Sequence, residues 1–145
     1  MNFKVFMIIF LAGIVSSSCN EKDTVPHPGA TISSEIQWVY SLSEGLKLSK
    51  EKNKPLMVEF YADWCGYCKK LDNETYSNPD IVKLSEEFIC VKINTDKDPD
   101  DARKYRVSGL PTIIFLNSNG DIIEKVIGYR NSNDFINIMS GIIKK

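Results

Sequence analysis

Four apolar stretches after residue 55 predict the strands of a β-sheet. LMVEFYA (56–62), FICVKIN (88–94) and TIIFLN (112–117) are nearly continuous apolar runs, interrupted at most by a single charged residue. Runs of this kind are typical of strands that are buried on both faces of a sheet. The fourth stretch, DIIEKVIG (121–128), follows TIIFLN across the turn residues NSNG, and this arrangement predicts a β-hairpin.

Helical spacing and capping residues predict the helices. Ser34, with Gln37 as its capping-box partner, predicts the start of a first helix whose apolar face would contain Trp38, Val39, Leu42 and Leu46. CKKLDNETY (68–76) after the first strand is also predicted to be helical. Three further helix starts are predicted at Asn78-Pro79, Asp98-Pro99 and Ser132. The resulting order α, β, α, α, β, α, β, β, α predicts an α/β domain whose sheet is covered by helices.

The first 18 residues have the build of a secretory signal peptide. Lys4 precedes an apolar run from Val5 to Val15, and three serines follow. This run is too short for a transmembrane helix, which takes about 20 residues. Cys19 directly after the serines resembles the lipobox cysteine of bacterial lipoproteins, although Ser16 stands where they usually have an aliphatic residue. We therefore expect export and lipidation of Cys19, and ordinary cleavage near Ser18 is the alternative.

The rest of the chain is predicted to form one domain behind a tether. Residues 19–33, which include NEKDTVPHPGAT, are predicted to be a flexible tether, and residues 34–145 the domain. The 145-residue chain has 18 basic and 19 acidic residues and a net charge of −1, which does not favour nucleic acid as a partner. Of its four cysteines, Cys90 lies in an apolar run and is predicted to be a small buried hydrophobe, with a regulatory thiol as the alternative.

The pair Cys65 and Cys68 in WCGYC carries the candidate chemistry. A structural zinc ion usually takes four ligands, and the other candidate ligands lie on the tether or in an apolar run: Cys19, His27 and Cys90. Attachment of a c-type haem requires His directly after the second cysteine, where this chain has Lys69. A purely structural disulfide remains an alternative, but it would close a very short loop and add little stability.

Redox exchange fits the position of the pair best. Cys65 stands where a predicted buried strand meets a predicted helix, so the free N–H groups at the helix start would stabilise its thiolate. Cys68, one turn further, would be more buried and would act as the resolving thiol. Cys65 would then attack a substrate disulfide, and Cys68 would release the reduced substrate from the mixed disulfide.

Beyond the pair, separated residues resemble the thioredoxin family over roughly 34–143: WCGYC after a buried strand, and GLPT (109–112) further along. The resemblance implies a thioredoxin fold, with a central mixed β-sheet flanked by helices on both faces. It implies catalytic roles for Cys65, Cys68, an acid at Glu59 that moves the proton of the second cysteine, and Lys92 near that acid. It also implies a cis peptide bond before Pro111, and a substrate-binding groove that includes Trp64, Gly66, Tyr67, Leu110, Pro111 and Gly128.

Ordinary structural roles remain as alternatives at these positions. Glu59 could face solvent, although its apolar neighbours predict burial, where an unpaired carboxylate is costly. The alternation in VKIN leaves open whether Lys92 points to a solvated face. Pro111 could follow the usual trans peptide bond. Trp64 could pack against the domain without contacting substrate. Tyr67 could be a solvent-exposed side chain with no role in binding.

The chain also departs from the usual thioredoxin pattern. Tyr67 occupies a position where thioredoxins usually have Pro, and Glu59 one where they usually have Asp. The helix after the pair lacks the kinking proline of the family. NETYSNPDI (73–81) instead resembles the C-terminal thioredoxin-like domain of the membrane thiol:disulfide interchange proteins, which are periplasmic reductants. Because Tyr67 bears on the redox poise of the pair, the direction of electron flow stays open.

Together these features predict an exported, lipid-anchored thiol:disulfide oxidoreductase of the bacterial periplasm that reduces or exchanges disulfides in exported proteins. It would cycle between the Cys65–Cys68 disulfide and the dithiol as a monomer, without a metal or organic cofactor. A membrane-embedded thiol relay would supply its electrons. Two alternatives remain: a disulfide-forming oxidase that uses the same pair, and a non-enzymatic module that holds an extended peptide beside Pro111.

Overall fold

A five-stranded mixed sheet forms the centre of the domain. The computed structural model describes residues 33–144, with these elements: β1 (Trp38–Val39), α1 (Leu42–Lys52), β2 (Leu56–Tyr61), α2 (Gly66–Lys70), a π-helical segment (Leu71–Thr75), α3 (Pro79–Ser85), β3 (Ile89–Asn94), α4 (Pro99–Lys104), β4 (Thr112–Leu116), β5 (Ile122–Ile127) and α5 (Ser132–Ile143). The strand order is β1-β3-β2-β4-β5. β1, β3 and β2 run parallel, whereas β4 is antiparallel to both β2 and β5.

Helices cover both faces of this sheet, which confirms the predicted fold class. Because successive side chains of a strand point to opposite faces, β2 and β4 contribute to two separate apolar clusters. One cluster joins the sheet to α3 and α5 and includes Met57, Ile113, Phe115, Ile81, Phe135 and Met139. The other joins it to α1 and to the end of α4 and includes Val58, Phe60, Ile114, Leu42 and Tyr105. Strands β2, β3 and β4 are almost entirely buried, as their continuous apolar runs predict.

The predicted start of the first helix at Ser34 is wrong. Trp38 and Val39 instead form the edge strand β1, which pairs in parallel with Cys90 and Val91 of β3. The helix begins at Leu42, where the side chain of the N-cap residue Ser41 accepts a hydrogen bond from the backbone N–H of Glu44. An aromatic and a β-branched residue suit a strand as well as a helical face, so the apolar spacing alone could not separate the two.

The other predicted helices are confirmed, with one difference in geometry. CKKLDNETY is helical, but its second part, Leu71–Thr75, is a π-helix in which Tyr76 N–H donates to the carbonyl of Leu71. Asn78 caps α3 and Asn131 caps α5, each by accepting a backbone hydrogen bond through its side chain. Phe135, Met139 and Ile142 form the buried face of α5, whereas Ile143 at its end is 40% exposed.

Several predicted features of the N-terminus lie outside the described residues. They are the signal peptide 1–18, Cys19, His27 and all of the tether except Ser33. Among residues 33–144, no helix has the length and apolar character needed to cross a membrane. Export, lipidation and the tether therefore stay predictions.

Gly45 marks a close contact between α1 and the sheet, and we expect Gly45→Ala to destabilise the domain. A β-carbon there would collide with Cγ2 of Val91, a stiff and fully buried side chain, and would lie 3.3 Å from Leu56 Cδ2. Overpacking of this kind costs about 1 to 3 kcal/mol in the free energy of unfolding.

Gly141 in α5 provides the matched control, because a β-carbon at Gly141 would meet no atom within 4 Å. Replacing a helical glycine by alanine in open space should stabilise by about 0.5 to 1 kcal/mol. Urea unfolding of both variants measures the difference. Equal stabilities of Gly45→Ala and wild type would contradict the described packing of α1.

Candidate active site

Cys65 and Cys68 form a disulfide at the start of the helix that leaves the middle of the sheet. Strand β2 ends at Tyr61, and Cys65 follows as the N-cap residue of α2. Its Sγ accepts a hydrogen bond of 3.1 Å from the backbone N–H of Cys68. Both cysteines are buried, Cys65 being 5% and Cys68 1% exposed. The predicted junction of strand and helix is therefore present, and Cys65 is the more exposed residue of the two.

A cis proline lies beside the disulfide. The Leu110–Pro111 peptide bond is cis, as the resemblance to thioredoxins implied, and Leu110 packs against a small cluster of Ala62, Cys65 and Cys68. The carbonyl of Pro111 accepts a hydrogen bond of 2.7 Å from the backbone N–H of Gly128. Gly128 has a φ of +85°, which favours glycine at this position. Leu110, Pro111 and Gly128 thus lie next to one another, and their role in substrate binding stays a prediction.

The residues around the pair on the outer surface are exposed. Trp64 is 71% exposed, and its indole N–H donates a hydrogen bond of 2.9 Å to the carboxylate of Asp96. Tyr67 is 64% exposed, and a β-carbon at Gly66 would meet no atom within 4 Å. Trp64 is therefore held by a hydrogen bond and is not packed in the core. Gly66 and Tyr67, between the two cysteines, lie at the protein surface.

Glu59 is a fully buried acid on the middle strand, which removes the alternative of a solvent-facing side chain. Alternation along β2 places Glu59 on the same face as Tyr61, which contacts the cysteine cluster. Burial raises the pKa of the Glu59 carboxyl from 4.5 to about 8, and the nearby charge of Lys92 offsets only part of this rise. A carboxyl with a pKa near neutrality can both accept and release a proton at physiological pH.

Lys92 lies on the neighbouring strand β3 as the register partner of Glu59. Its Nζ is 3.5 Å from Glu59 Oε2, and its side chain is only 10% exposed, so it does not lie on a solvated face. The same Nζ lies 5.3 Å from the ring centroid of Trp38 and 5.0 Å from that of Tyr61. Burial lowers the pKa of Lys92, but the carboxylates of Glu59 and Asp72 outweigh burial and raise it above its ordinary value.

The sequence analysis did not identify Asp72 and Tyr76, which lie next to Glu59 and Lys92. Asp72 lies 2.5 Å from Lys92 Nζ with its side chain 40% exposed, so the line Glu59, Lys92, Asp72 leads from the buried acid to the surface. Tyr76 is buried beside them, and burial together with Glu59 and Asp72 raises the pKa of its hydroxyl. No local pattern marked either residue, because their contacts depend on how the π-helical segment Leu71–Thr75 turns its side chains towards the sheet.

Cys90 is separate from the redox pair. It lies in β3, is 3% exposed and directs its Sγ to the carbonyl of Ser85 at 3.7 Å. Burial raises the pKa of its thiol to about 12, so the reactive thiolate is disfavoured. The predicted burial of Cys90 is therefore confirmed.

The fold and the site define an α/β protein with a disulfide between two cysteines three positions apart at a helix start, and with a cis Leu110–Pro111 bond whose leucine packs against that disulfide. The Thioredoxin-like domain family matches residues 42–142. The chain is 31% identical over 147 residues to the thiol:disulfide interchange protein DsbD of Tatumella citrea, covering 92% of this chain and 25% of that protein. It is 36% identical over 90 residues to the protein disulfide isomerase-like 2-2 of Oryza sativa, covering 62% of this chain and 24% of that protein.

The solved thioredoxin from Thermus thermophilus superimposes with a TM-score of 0.68 at 26% identity, over 74% of this chain and 87% of that structure. The chain therefore belongs to the thioredoxin-like domain family, and the predicted resemblance to thioredoxins and to thiol:disulfide interchange proteins is confirmed. It spans about a quarter of the length of the curated relatives named above.

Glu59→Gln should remove a pH dependence of stability. The pKa of the Glu59 carboxyl is raised from 4.5 to about 8 in the folded protein, so the folded state holds this proton more tightly than the unfolded chain. The contribution of Glu59 to stability therefore falls as pH rises through this window. Between pH 5 and pH 8.5, the unfolding free energy of wild type should drop by about 3 to 4 kcal/mol relative to Glu59→Gln.

Chemical unfolding at several pH values measures this difference. Glu51→Gln is the control, because the side chain of Glu51 is 56% exposed and forms only a surface ion pair with Lys47. We expect Glu51→Gln to follow the wild-type pH dependence. Parallel curves for wild type and Glu59→Gln would contradict the raised pKa.

Proposed function

We propose that this protein is a thiol:disulfide oxidoreductase of the bacterial envelope that reduces or exchanges disulfides in exported proteins. The observation that carries the proposal is the Cys65–Cys68 disulfide at the start of α2, next to Leu110 and the cis Pro111. Cys65 is the N-cap residue of α2, and its Sγ accepts the backbone N–H of Cys68, a position that favours a thiolate nucleophile. Beside it, Trp64 and Tyr67 are exposed and available for contact with a macromolecular substrate.

In the reduced protein, the thiolate of Cys65 attacks one sulfur of a substrate disulfide. The substrate S–S bond breaks, a mixed disulfide forms, and the leaving substrate sulfur takes up a proton. The backbone N–H of Cys68, which points at Cys65 Sγ, stabilises negative charge on that sulfur. Cys68 then attacks Cys65 Sγ, which closes the Cys65–Cys68 disulfide and expels the second substrate thiol. The substrate gains two electrons and the pair loses two.

Glu59 is proposed to take the proton from Cys68 in the second step. Its carboxyl lies on the sheet face that leads to Tyr61 and the cysteine cluster, and its pKa of about 8 suits a group that both binds and releases a proton. Lys92 holds the ionised form of Glu59 at 3.5 Å, and Asp72 connects Lys92 to the surface. Neither a metal nor an organic cofactor takes part in this sequence of steps.

The surface beside Pro111 is proposed to bind the substrate as an extended strand. The backbone of Leu110 would pair with the substrate segment that carries the disulfide, and Gly128 leaves room for a close approach. Trp64, Gly66 and Tyr67 would border the opposite side of the groove. Such main-chain binding tolerates many substrate sequences, which fits an enzyme that acts on several exported proteins.

The envelope location and the electron partner are also part of the proposal. The apolar run of Val5 to Val15 and the serines before Cys19 support export and lipid attachment. The similarity to DsbD, a protein named for thiol:disulfide interchange, supports exchange chemistry at the pair. A reducing direction and a membrane thiol relay as the electron source complete the proposal. The protein would act as a monomer at the membrane surface.

Trapping of substrates tests this proposal. In the full chain expressed in its native envelope, Cys68→Ser should accumulate mixed disulfides through Cys65, because the resolving thiol is absent. Mass spectrometry after non-reducing separation identifies the trapped proteins. We expect exported proteins that contain disulfides.

Two variants serve as controls. The double variant Cys65→Ser/Cys68→Ser should trap nothing, whereas Cys68→Ser/Cys90→Ser should trap as much as Cys68→Ser, because Cys90 is buried in β3. Absence of trapped species in Cys68→Ser, at normal expression, would overturn the exchange role.

A further inference from the structure

The loop after β5 is held between the cis proline and the helix that follows the cysteine pair. This helix, called the redox helix, consists of α2 (Gly66–Lys70) and the π-helical segment (Leu71–Thr75). The first residue of the loop, Gly128, donates its backbone N–H to the carbonyl of Pro111 at 2.7 Å. Its last residue, Asn131, is the N-cap of α5. Residues 128–131, called the glycine loop, therefore connect the proposed substrate groove beside Pro111 to the start of α5.

Tyr129 in the glycine loop contacts two charged side chains of the redox helix. Its hydroxyl donates a hydrogen bond of 2.8 Å to Oε2 of Glu74. The Nζ of Lys70 lies 4.7 Å from the centre of the Tyr129 ring and 3.8 Å from the same carboxylate oxygen. A cation over an aromatic ring and a hydrogen bond to a carboxylate are both directional. Tyr129 therefore has a defined place against the helix.

Two further hydrogen bonds connect the glycine loop and the first residue of α5 to the π-helical segment. The hydroxyl of Thr75, which is fully buried, donates to the carbonyl of Arg130 at 2.7 Å. The hydroxyl of Ser132 donates to the carbonyl of Glu74 at 3.0 Å. Thr75 and Glu74 close the π-helical segment Leu71–Thr75, and the carbonyls of a last helical turn have no partner within the helix, so the Glu74 carbonyl is available for this contact.

We propose that Tyr129 is a positioning residue for substrate. Through Glu74 and Lys70 it holds the glycine loop on the redox helix, and so keeps the Pro111 and Gly128 backbone in place for an extended polypeptide that carries a disulfide. The inference rests on the proposed oxidoreductase function and adds a residue that acts on binding and not on the sulfur chemistry. A small disulfide that does not occupy the groove does not need Tyr129.

Oxidation of the pre-reduced dithiol protein by an excess of either of two substrates tests this, with the half-saturating concentration (KM) and the limiting rate (kcat) measured for each. The probes are insulin, a disulfide-bonded polypeptide, and 5,5′-dithiobis(2-nitrobenzoate), a small aromatic disulfide. Tyr129→Phe keeps the ring and removes the hydroxyl. It should raise the KM for insulin about three- to tenfold, the range expected for the loss of one ordinary solvent-exposed hydrogen bond. The kcat for insulin, the rate with the small disulfide and the reduction potential of the pair should stay at the wild-type values.

Two more variants make the test specific. Glu74→Gln weakens the same hydrogen bond and should change the insulin KM in the same direction. Tyr40→Phe is the matched control, since Tyr40 is 67% exposed in the connection between β1 and α1, and it should behave as wild type.

An unchanged insulin KM in Tyr129→Phe would overturn the inference and leave the proposed function intact. An equal fall in the rates with both substrates would also overturn it, because that result indicates a general loss of structure. If wild type reduces neither substrate, the proposed function itself fails, and the positioning role fails with it.

Discussion

A fully buried carboxyl group on the middle strand, that of Glu59, constrains much of the structure around it. An ionised acid in this environment requires a partner charge, and Lys92 supplies it from the adjacent register position of β3. The buried lysine is in turn supported by Asp72 on the redox helix and by the rings of Trp38 and Tyr61. A single buried acid thus links the edge strand β1, the two central strands and the helix that follows the cysteine pair.

Continuous apolar runs made the central strands predictable, because β2, β3 and β4 are covered on both faces and alternate little. The capping pattern of Asn78-Pro79 likewise located a helix correctly. The first helix was misplaced because Trp38 and Val39 satisfy a helical face and a strand equally well, and only pairing with β3 separates the two. A two-residue edge strand has too few positions to show its own periodicity.

Parts of the candidate site were predictable because a short sequence pattern or the resemblance to thioredoxins marked them. These parts are the pair Cys65 and Cys68, the cis bond before Pro111 and the burial of Glu59. Asp72 and the contacts of the glycine loop were missed, since they depend on how the π-helical segment turns its side chains after Leu71. Pairings of this kind join residues far apart in sequence, such as Tyr129 and Glu74, and no local pattern encodes them.

We propose that Glu59 exchanges a proton with Cys68 as the disulfide opens and closes. NMR titration of the ¹³C-labelled Glu59 carboxyl, assigned by its loss in a Glu59→Gln variant, measures this directly in both redox states. In the oxidised protein we predict a pKa of about 8 for this carboxyl. Reduction should move the titration midpoint, because the Cys68 thiol then competes for the same proton. A midpoint near the ordinary 4.5, or one that is identical in both states, would contradict the account.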